Sequence, residues 1–332
     1  MQTAAAEDKS KAATCEPVLW SYEDLKREIE KSKQYQDVVQ DMVPAASVNI
    51  AVGESGIGKS PLFYDMVIRV AAGLPFLGCR VQQGPTLMLD CENGAEKEKV
   101  CDALLRHAGL AQMPELLRID PSPGDGFAWK VRHWRPILVV IDSLRMFRPE
   151  AMKGDGIDAV RLLRELQALA REVGTAFVLI HHLRKEDKKF KLPDLASTSV
   201  LEWMQEASGS RAFINQTDAR MAIAKDRKAR DGDDVLIVKH YIKLRGEFGP
   251  QYVERVFENG EPIGYRRLSG DSLLRNSDHE SLFRRLPAQF SHSEAEAITG
   301  KKGGALSNFL KKCIGAGVLT KQDGIYQKVQ VQ

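Results

Sequence analysis

With 332 residues, 43% of them apolar, the chain can build one large α/β domain and a smaller one, each with its own core. No apolar run reaches the ~18 residues of a membrane helix, and the opening MQTAAAEDKSKAATCEP lacks the apolar centre of a secretory leader, so a cytoplasmic protein without membrane contact is expected. Cys15, Cys79, Cys91, Cys101 and Cys313 show no CxxC spacing, which argues for reduced thiols and against a zinc site, and a net charge of only +3 leaves any nucleic-acid contact to local patches.

Residues 1–16 read as a disordered tail and 17–36 as a helical arm. Ser21 can cap that helix with Asp24 three residues on, and Trp20 can staple onto Leu25. Leu25 and Ile29 give it a narrow apolar stripe, suited either to packing on its own domain or to docking on a neighbouring copy. The main α/β core is expected over 37–268, a linker over 269–279 and a small domain over 280–332.

The core is organised around SVNIAVGESGIGKSPLFYDMVIRVAA, where Gly53, Gly58, Lys59 and Ser60 fit G-x-x-x-x-G-K-[ST], the phosphate-binding loop. A buried β-branched strand over 48–52 precedes it. A helix follows, carrying Leu62, Met66, Val67 and Val70 on one face and stopped by Gly73. Pro61 sits in the first turn, where a missing N–H costs little. Gly53, Glu54, Ser55, Gly56, Ile57, Gly58, Lys59, Ser60 and Pro61 are the expected nucleotide cradle. Backbone N–H groups and the helix dipole face the phosphates of ATP, Lys59 reaches the β/γ-phosphates and Ser60 ligates Mg²⁺.

Further along, TLMLD (86–90) reads as a buried strand with Cys91, Glu92, Asn93 and Gly94 just past its end, at the sheet edge where ligands bind. A helix follows over 95–109, with Val100, Ala103 and Leu104 on one face, then a short strand over 116–119 and the loop PSPGDG. PILVVID (136–142) has the Walker B pattern and delivers Asp142 to the Mg²⁺. A helix over 157–173 has Ile157, Val160, Leu163 and Leu166 as its expected core. The strand AFVLI (176–180) ends in His181 and His182. Strands alternating with helices imply a mainly parallel sheet, and the texture then changes to antiparallel hairpins over 217–268. Residues 280–332 follow the helix, helix, β-hairpin order of a winged helix. Lys301, Lys302, Lys311 and Lys312 lie on or beside its second helix, with Lys321 and Lys328 on the wing, a distribution suited to a phosphate backbone or to docking a protein.

The order GESGIGKS, AAGLPFLG, TLMLDCENG, ILVVIDSL, LIHHLRKED resembles the RecA-type core of plasmid RepA-like hexameric helicases over roughly residues 40–265. The resemblance implies a RecA-like P-loop NTPase fold, Glu92 as the catalytic glutamate and His182 as the sensor of the γ-phosphate. It also implies Lys243 and Arg245 as a K-x-R pair reaching the ATP of a neighbouring subunit, hence a homo-oligomer, a hexamer by analogy. Spaced i, i+2, the two are expected on a strand with side chains on one face. The segments after Walker B and after the sensor strand would line a channel for single-stranded DNA, with Arg145, Arg148, Lys153, Lys185, Lys188 and Lys189 as candidate contacts. Duplex DNA would fall to the winged helix. The sequence departs from the family at Gly209-Ser210-Arg211, where a Gly-Ser-Ser run is common. The expected activity is a DNA motor. An ATP-gated DNA-binding regulator is the alternative, and a strand-exchange recombinase ranks last.

Overall fold

A computed structural model describes residues 21–24, 26–27, 37–92, 97–121, 126–152, 156–183, 192–206, 211–227, 229, 234–268, 282–315, 318–322 and 324–329. The expected tail and linker, the Trp20–Leu25 staple, Ile29, Asn93, Gly94, Lys153, Lys185, Lys188, Lys189, Gly209 and Ser210 lie outside these residues. The chain divides into Met1–Tyr35 and Gln36–Gln332. In the first unit the expected cap is present: the Asp24 N–H donates to Ser21 Oγ at 3.1 Å and the Ser21 N–H donates back to Asp24 Oδ2 at 3.0 Å.

The second unit is built on strands β1 (Val48–Gly53), β2 (Thr86–Asp90), β3 (Leu117–Asp120), β4 (Leu138–Asp142), β5 (Ala176–His182), β6 (Ala219–Lys225), β7 (Val235–Ile242), β8 (Gly246–Glu247), β9 (Gln251–Glu258) and β10 (Glu261–Arg267). They form one sheet in the order β10-β9-β7-β6-β1-β5-β4-β2-β3, with β8 beside β7. From β3 to β6 every pairing is parallel, and from β6 outward every pairing is antiparallel. The fold class read from the sequence therefore holds: a mixed α/β core with a mainly parallel sheet and an antiparallel C-terminal extension.

Strand alternation divides the core. Val48, Ile50 and Val52 of β1 face one layer and Ala51 the other. Helices α1 (Lys59–Ala72) and α2 (Lys97–Ala108) cover one face; α3 (Phe127–Trp134) and α5 (Ile157–Val173) cover the other, with a short α4 (Leu144–Phe147) between β4 and α5 and two short helices, α6 (Val200–Trp203) and α7 (Ala212–Gln216), between β5 and β6. α1 ends at Gly73 in the left-handed region (φ 73°), the stop read from the sequence. In α5 the expected core needs correction. Leu163 and Leu166 are buried, but Val160 is half-buried and Ile157 is 60% exposed. A strict three-residue step drifts round a helix; the buried stripe instead runs Ala159, Leu162, Leu163, Leu166, Leu169, Ala170, the 3.6-residue period. α3 escaped the sequence reading because only Phe127 and Val131 are buried, while Trp129 is 64% exposed.

At the C-terminal end, β11 (Gln289–Ser291), α8 (His292–Thr299), α9 (Gly303–Gly315), β12 (Leu319–Gln322) and β13 (Ile325–Lys328) enclose a separate cluster of Phe290, Leu306, Phe309, Leu310, Leu319 and Tyr326. The small sheet is antiparallel, ordered β11-β13-β12, and α8 starts in a Ser291/Glu294 capping box. β11 is the strand the sequence reading lacked: it is short, and it pairs with β13 rather than with a neighbour in sequence.

Gly53 closes β1 where the backbone must turn into the phosphate loop. A Cβ there would lie 2.6 Å from Ile223 O, a main-chain atom of the neighbouring strand. Gly53→Ala should therefore lower stability by about 1–3 kcal/mol in a denaturant melt; an unchanged midpoint would show that β1 and β6 separate at no cost.

Candidate active site

Parallel strands bring their C-terminal ends to one edge, and there the sequence-distant candidates meet. Gly53 is in register with His182 across β1 and β5, and Asp90 with Asp142 across β2 and β4. β5 lies between the phosphate-loop strand and the Walker B strand. Gly56 (φ 78°) and Gly58 (φ 91°) take the left-handed conformation that turns the loop into α1. Gly58 caps α1 with no side-chain hydrogen bond, and the first turn carries no acidic residue. Its amides therefore face an anion site without internal competition. Ile57 roots the loop in the core, and Ser60 and Pro61 lie half-buried in the first turn.

Lys59 is 4% exposed. Its Nζ donates to Gly53 O (3.0 Å) and Glu54 O (2.5 Å) and lies 3.2 Å from His182 Nδ1. Burial pulls the ammonium down to about 8, against Asp142, Glu92 and Glu54, which favour the charge. Because Lys59 has only protons to offer, His182 Nδ1 accepts, so the neutral imidazole carries its hydrogen on Nε2. That nitrogen is 3.8 Å from Glu92 Oε2. Burial first, then Lys59, lowers the His182 pKa, with Glu92 opposing. The other carboxylate oxygen of Glu92 accepts a hydrogen bond from the Ser143 hydroxyl. Lys59, His182, Glu92 and Ser143 thus form one connected line across the ends of β1, β5, β2 and β4. His181 points away and is buried beside Phe213, as strand alternation requires.

Two supporting residues went unread in the sequence. Asp90, 2% exposed, accepts from the Tyr64 hydroxyl (2.6 Å) and from the Glu92 N–H (3.2 Å), which fixes the turn presenting Glu92. Ser143, fully buried at the start of α4, directs its hydroxyl to Glu92. The signals were the acid closing TLMLD and the serine after the Walker B aspartate; both look like ordinary strand ends until β2 and β4 are known to be adjacent.

The expected K-x-R strand is not one. β7 ends at Ile242, and residues 243–245 form a turn with Leu244 left-handed (φ 69°) and fully exposed. Lys243 and Arg245 therefore lie in a turn, either side of Leu244, rather than share a strand face. Arg245 is held in its own chain by Asp37, at 2.6 and 2.8 Å, with Asp41 at 3.8 Å. Arg145 is exposed on α4, and Arg148 lies over the Phe147 ring (4.5 Å) and 3.8 Å from Glu150. The loop expected after Walker B is thus partly helical. Arg211 is exposed ahead of α7 (Ala212–Gln216). Lys302, Lys311 and Lys312 are exposed and Lys301 is half-buried. Lys321 lies over the Tyr326 ring and Lys328 over Phe283.

The residues present fit Mg²⁺ and a nucleoside triphosphate. The helix end has no cap of its own, a buried ammonium stands at its mouth, and the buried carboxylate of Asp142 is close enough to favour that ammonium electrostatically. Among the described residues there is no cluster of three or more His, Cys, Asp or Glu placed to hold a metal. No helix among the described residues is long and apolar enough to cross a membrane.

Comparison with curated proteins gives no match. Among solved structures, a crystal structure of the RadB recombinase matches with 14% identity and a TM-score of 0.45, over 68% of this chain and 93% of that one. A family model described as an AAA domain matches residues 19–188, just over half of the chain and the part that holds the phosphate loop, Glu92, Asp142 and His182. The chain belongs to this AAA-domain family, and its core is a P-loop domain of the ATPase type.

Proposed function

We propose that the protein is an ATP-hydrolysing DNA motor that assembles into a ring, a hexamer by analogy with RepA-like helicases, and acts on single-stranded DNA. The observation that carries this reading is the line Lys59–His182–Glu92–Ser143, which ties the phosphate loop to the strand that leads into residues 184–191. Mg²⁺, held by Ser60 and Asp142, would offset charge on the β- and γ-phosphates. Lys59 leaves the Gly53 and Glu54 carbonyls for phosphate oxygens. Glu92, oriented by Ser143 and Asp90, accepts a hydrogen bond from the attacking water and aims it in line. His182 loses its Lys59 partner when the nucleotide arrives, so the end of β5 registers nucleotide state. Arg148, Lys153, Lys185, Lys188 and Lys189 are the proposed channel contacts, with Arg145.

Arg245 is the proposed trans-acting charge, worth on the order of 10³–10⁵ in turnover for an arginine finger. To serve a neighbour it leaves Asp37, and the exposed Leu244 beside it gives the turn an apolar contact to make there. The C-terminal unit is read as a winged helix that contacts duplex DNA or protein. Its separate core favours a second reading, an ATP-gated DNA-binding regulator without strand separation.

Glu92→Gln should keep Mg·ATP binding while turnover falls at least 100-fold, and wild-type turnover should rise with single-stranded DNA. A tailed duplex should be unwound by the wild type. Turnover indifferent to single-stranded DNA, from a protein that stays monomeric with ATP, would contradict the motor, and ATP-dependent duplex binding without unwinding would favour the regulator.

The site also carries a pH signature. With its pKa lowered to about 8, Lys59 is half-deprotonated at that pH in the nucleotide-free protein and mostly neutral above it, and phosphate favours the charged form. Mg·ADP binding at pH 8.5 should therefore take up protons, and affinity should fall as pH rises through 8. Titration calorimetry in buffers of different ionisation heat measures this; zero uptake would show that Lys59 gains no proton on binding, against the lowered pKa.

A further inference from the structure

The antiparallel extension returns to the phosphate loop. On β10, Tyr265 donates its hydroxyl to Gly58 O at 2.7 Å. Its cross-strand partner on β9 is Arg255, which lies against the same glycine. A Cβ built on Gly58 would sit 3.3 Å from Arg255 Nη1 and 3.5 Å from its Cδ. The guanidinium is anchored from behind: Nη2 pairs with Asp234, and the Arg255 N–H donates to Asp234 O at 2.9 Å. Its Nε is buried and has no hydrogen-bond partner among the described residues. A guanidinium carries five donors in a fixed fork, and leaving one buried and unmet is costly. Here the cost is incurred beside the uncapped start of α1, where the nucleotide reading places phosphate.

We propose that Arg255 is a phosphate-binding residue of the nucleotide pocket, contributed by the same chain through β9. This rests on the reading of the loop as an ATP site and adds a second positive group to it in cis. Asp234 pairs with Nη2, Tyr265 holds Gly58 in place, and Nη1, the guanidinium nitrogen nearest Gly58, supplies the donor to a phosphate oxygen. Planar, charge-assisted contacts to phosphate are what a guanidinium makes best. Nothing in the sequence pointed to it, because Arg255 sits in a plain strand, QYVERVFE, nearly two hundred residues beyond the phosphate loop.

The test is Mg·ADP affinity of the full chain by calorimetry, read beside the melting temperature of the nucleotide-free protein. Arg255→Gln should weaken ADP roughly ten- to hundredfold, the range for a hydrogen bond to a charged group, while Arg255→Lys, which keeps the charge but loses the planar fork, should fall between wild type and Arg255→Gln. Asp234→Asn removes the ion pair but keeps the guanidinium, and should lower the melting temperature while leaving ADP affinity within about threefold. Arg255→Gln binding ADP like wild type would overturn the proposal. So would an Asp234→Asn loss as large as that of Arg255→Gln, since bracing alone would then be the role. Wild-type protein that binds no ADP would instead remove the nucleotide reading itself, and the proposal with it.

Discussion

A desolvated ammonium is the constraint on which the site depends. Lys59 is almost completely buried, and in the nucleotide-free chain it satisfies itself on two carbonyls of its own loop and on His182. Such a cation is costly to bury without a strong counter-charge, and the lowered pKa expresses that cost. The fold meets the cost by keeping three carboxylates near, Asp142, Glu92 and Glu54. Two of them, Asp142 and Glu92, are the groups proposed to serve metal and water in hydrolysis. One electrostatic requirement thus gathers the ends of β1, β2, β4 and β5, and the parallel sheet is the scaffold that brings four separate strand ends to one edge.

From that edge two layers of support extend. Behind Glu92, Asp90 and Tyr64 fix the turn and Ser143 fixes the carboxylate, so the proposed water-orienting group is aligned before any substrate arrives. On the other side, the C-terminal extension braces the phosphate loop: Arg227, in the connection after β6, lies 3.7 Å from Glu54, and Tyr265 of β10 bonds Gly58 O. In a single copy the remaining candidate charge, Arg245, is occupied by Asp37. In the proposed ring this exchange of partners, from Asp37 to a neighbour's phosphate, would couple assembly to turnover. Each chain would rest in a charge-satisfied state on its own.

How much of this was legible in the sequence follows from physical range. The phosphate loop, the Walker B strand and the helix stop at Gly73 are local patterns, and they appear where the residues placed them. Glu92 and His182 were placed by resemblance, and the structure brings them together because parallel pairing of distant strands does what no local window can show. Lys243 and Arg245 were misplaced on a strand because alternating IKLR reads as β. The chain turns at Leu244 instead, with Gly246 (φ 93°) just beyond it in β8. Asp90, Ser143 and Arg255 stayed unread for one reason: their partners sit on elements distant in sequence, Tyr64 on α1, Glu92 just past β2 and Gly58 in the phosphate loop.

The central claim is that an ATP pocket is completed only between two copies of this chain, one lending the phosphate loop and Glu92, the next lending Arg245. Mixing two inactive variants tests it most directly. Glu92→Gln and Arg245→Ala should each turn over ATP at the background rate alone. Mixed in equal amounts they should recover activity, because the pocket of an Arg245→Ala copy can receive the intact arginine of a Glu92→Gln neighbour. A mixture no more active than its two components, from proteins shown to co-assemble, would contradict the shared pocket.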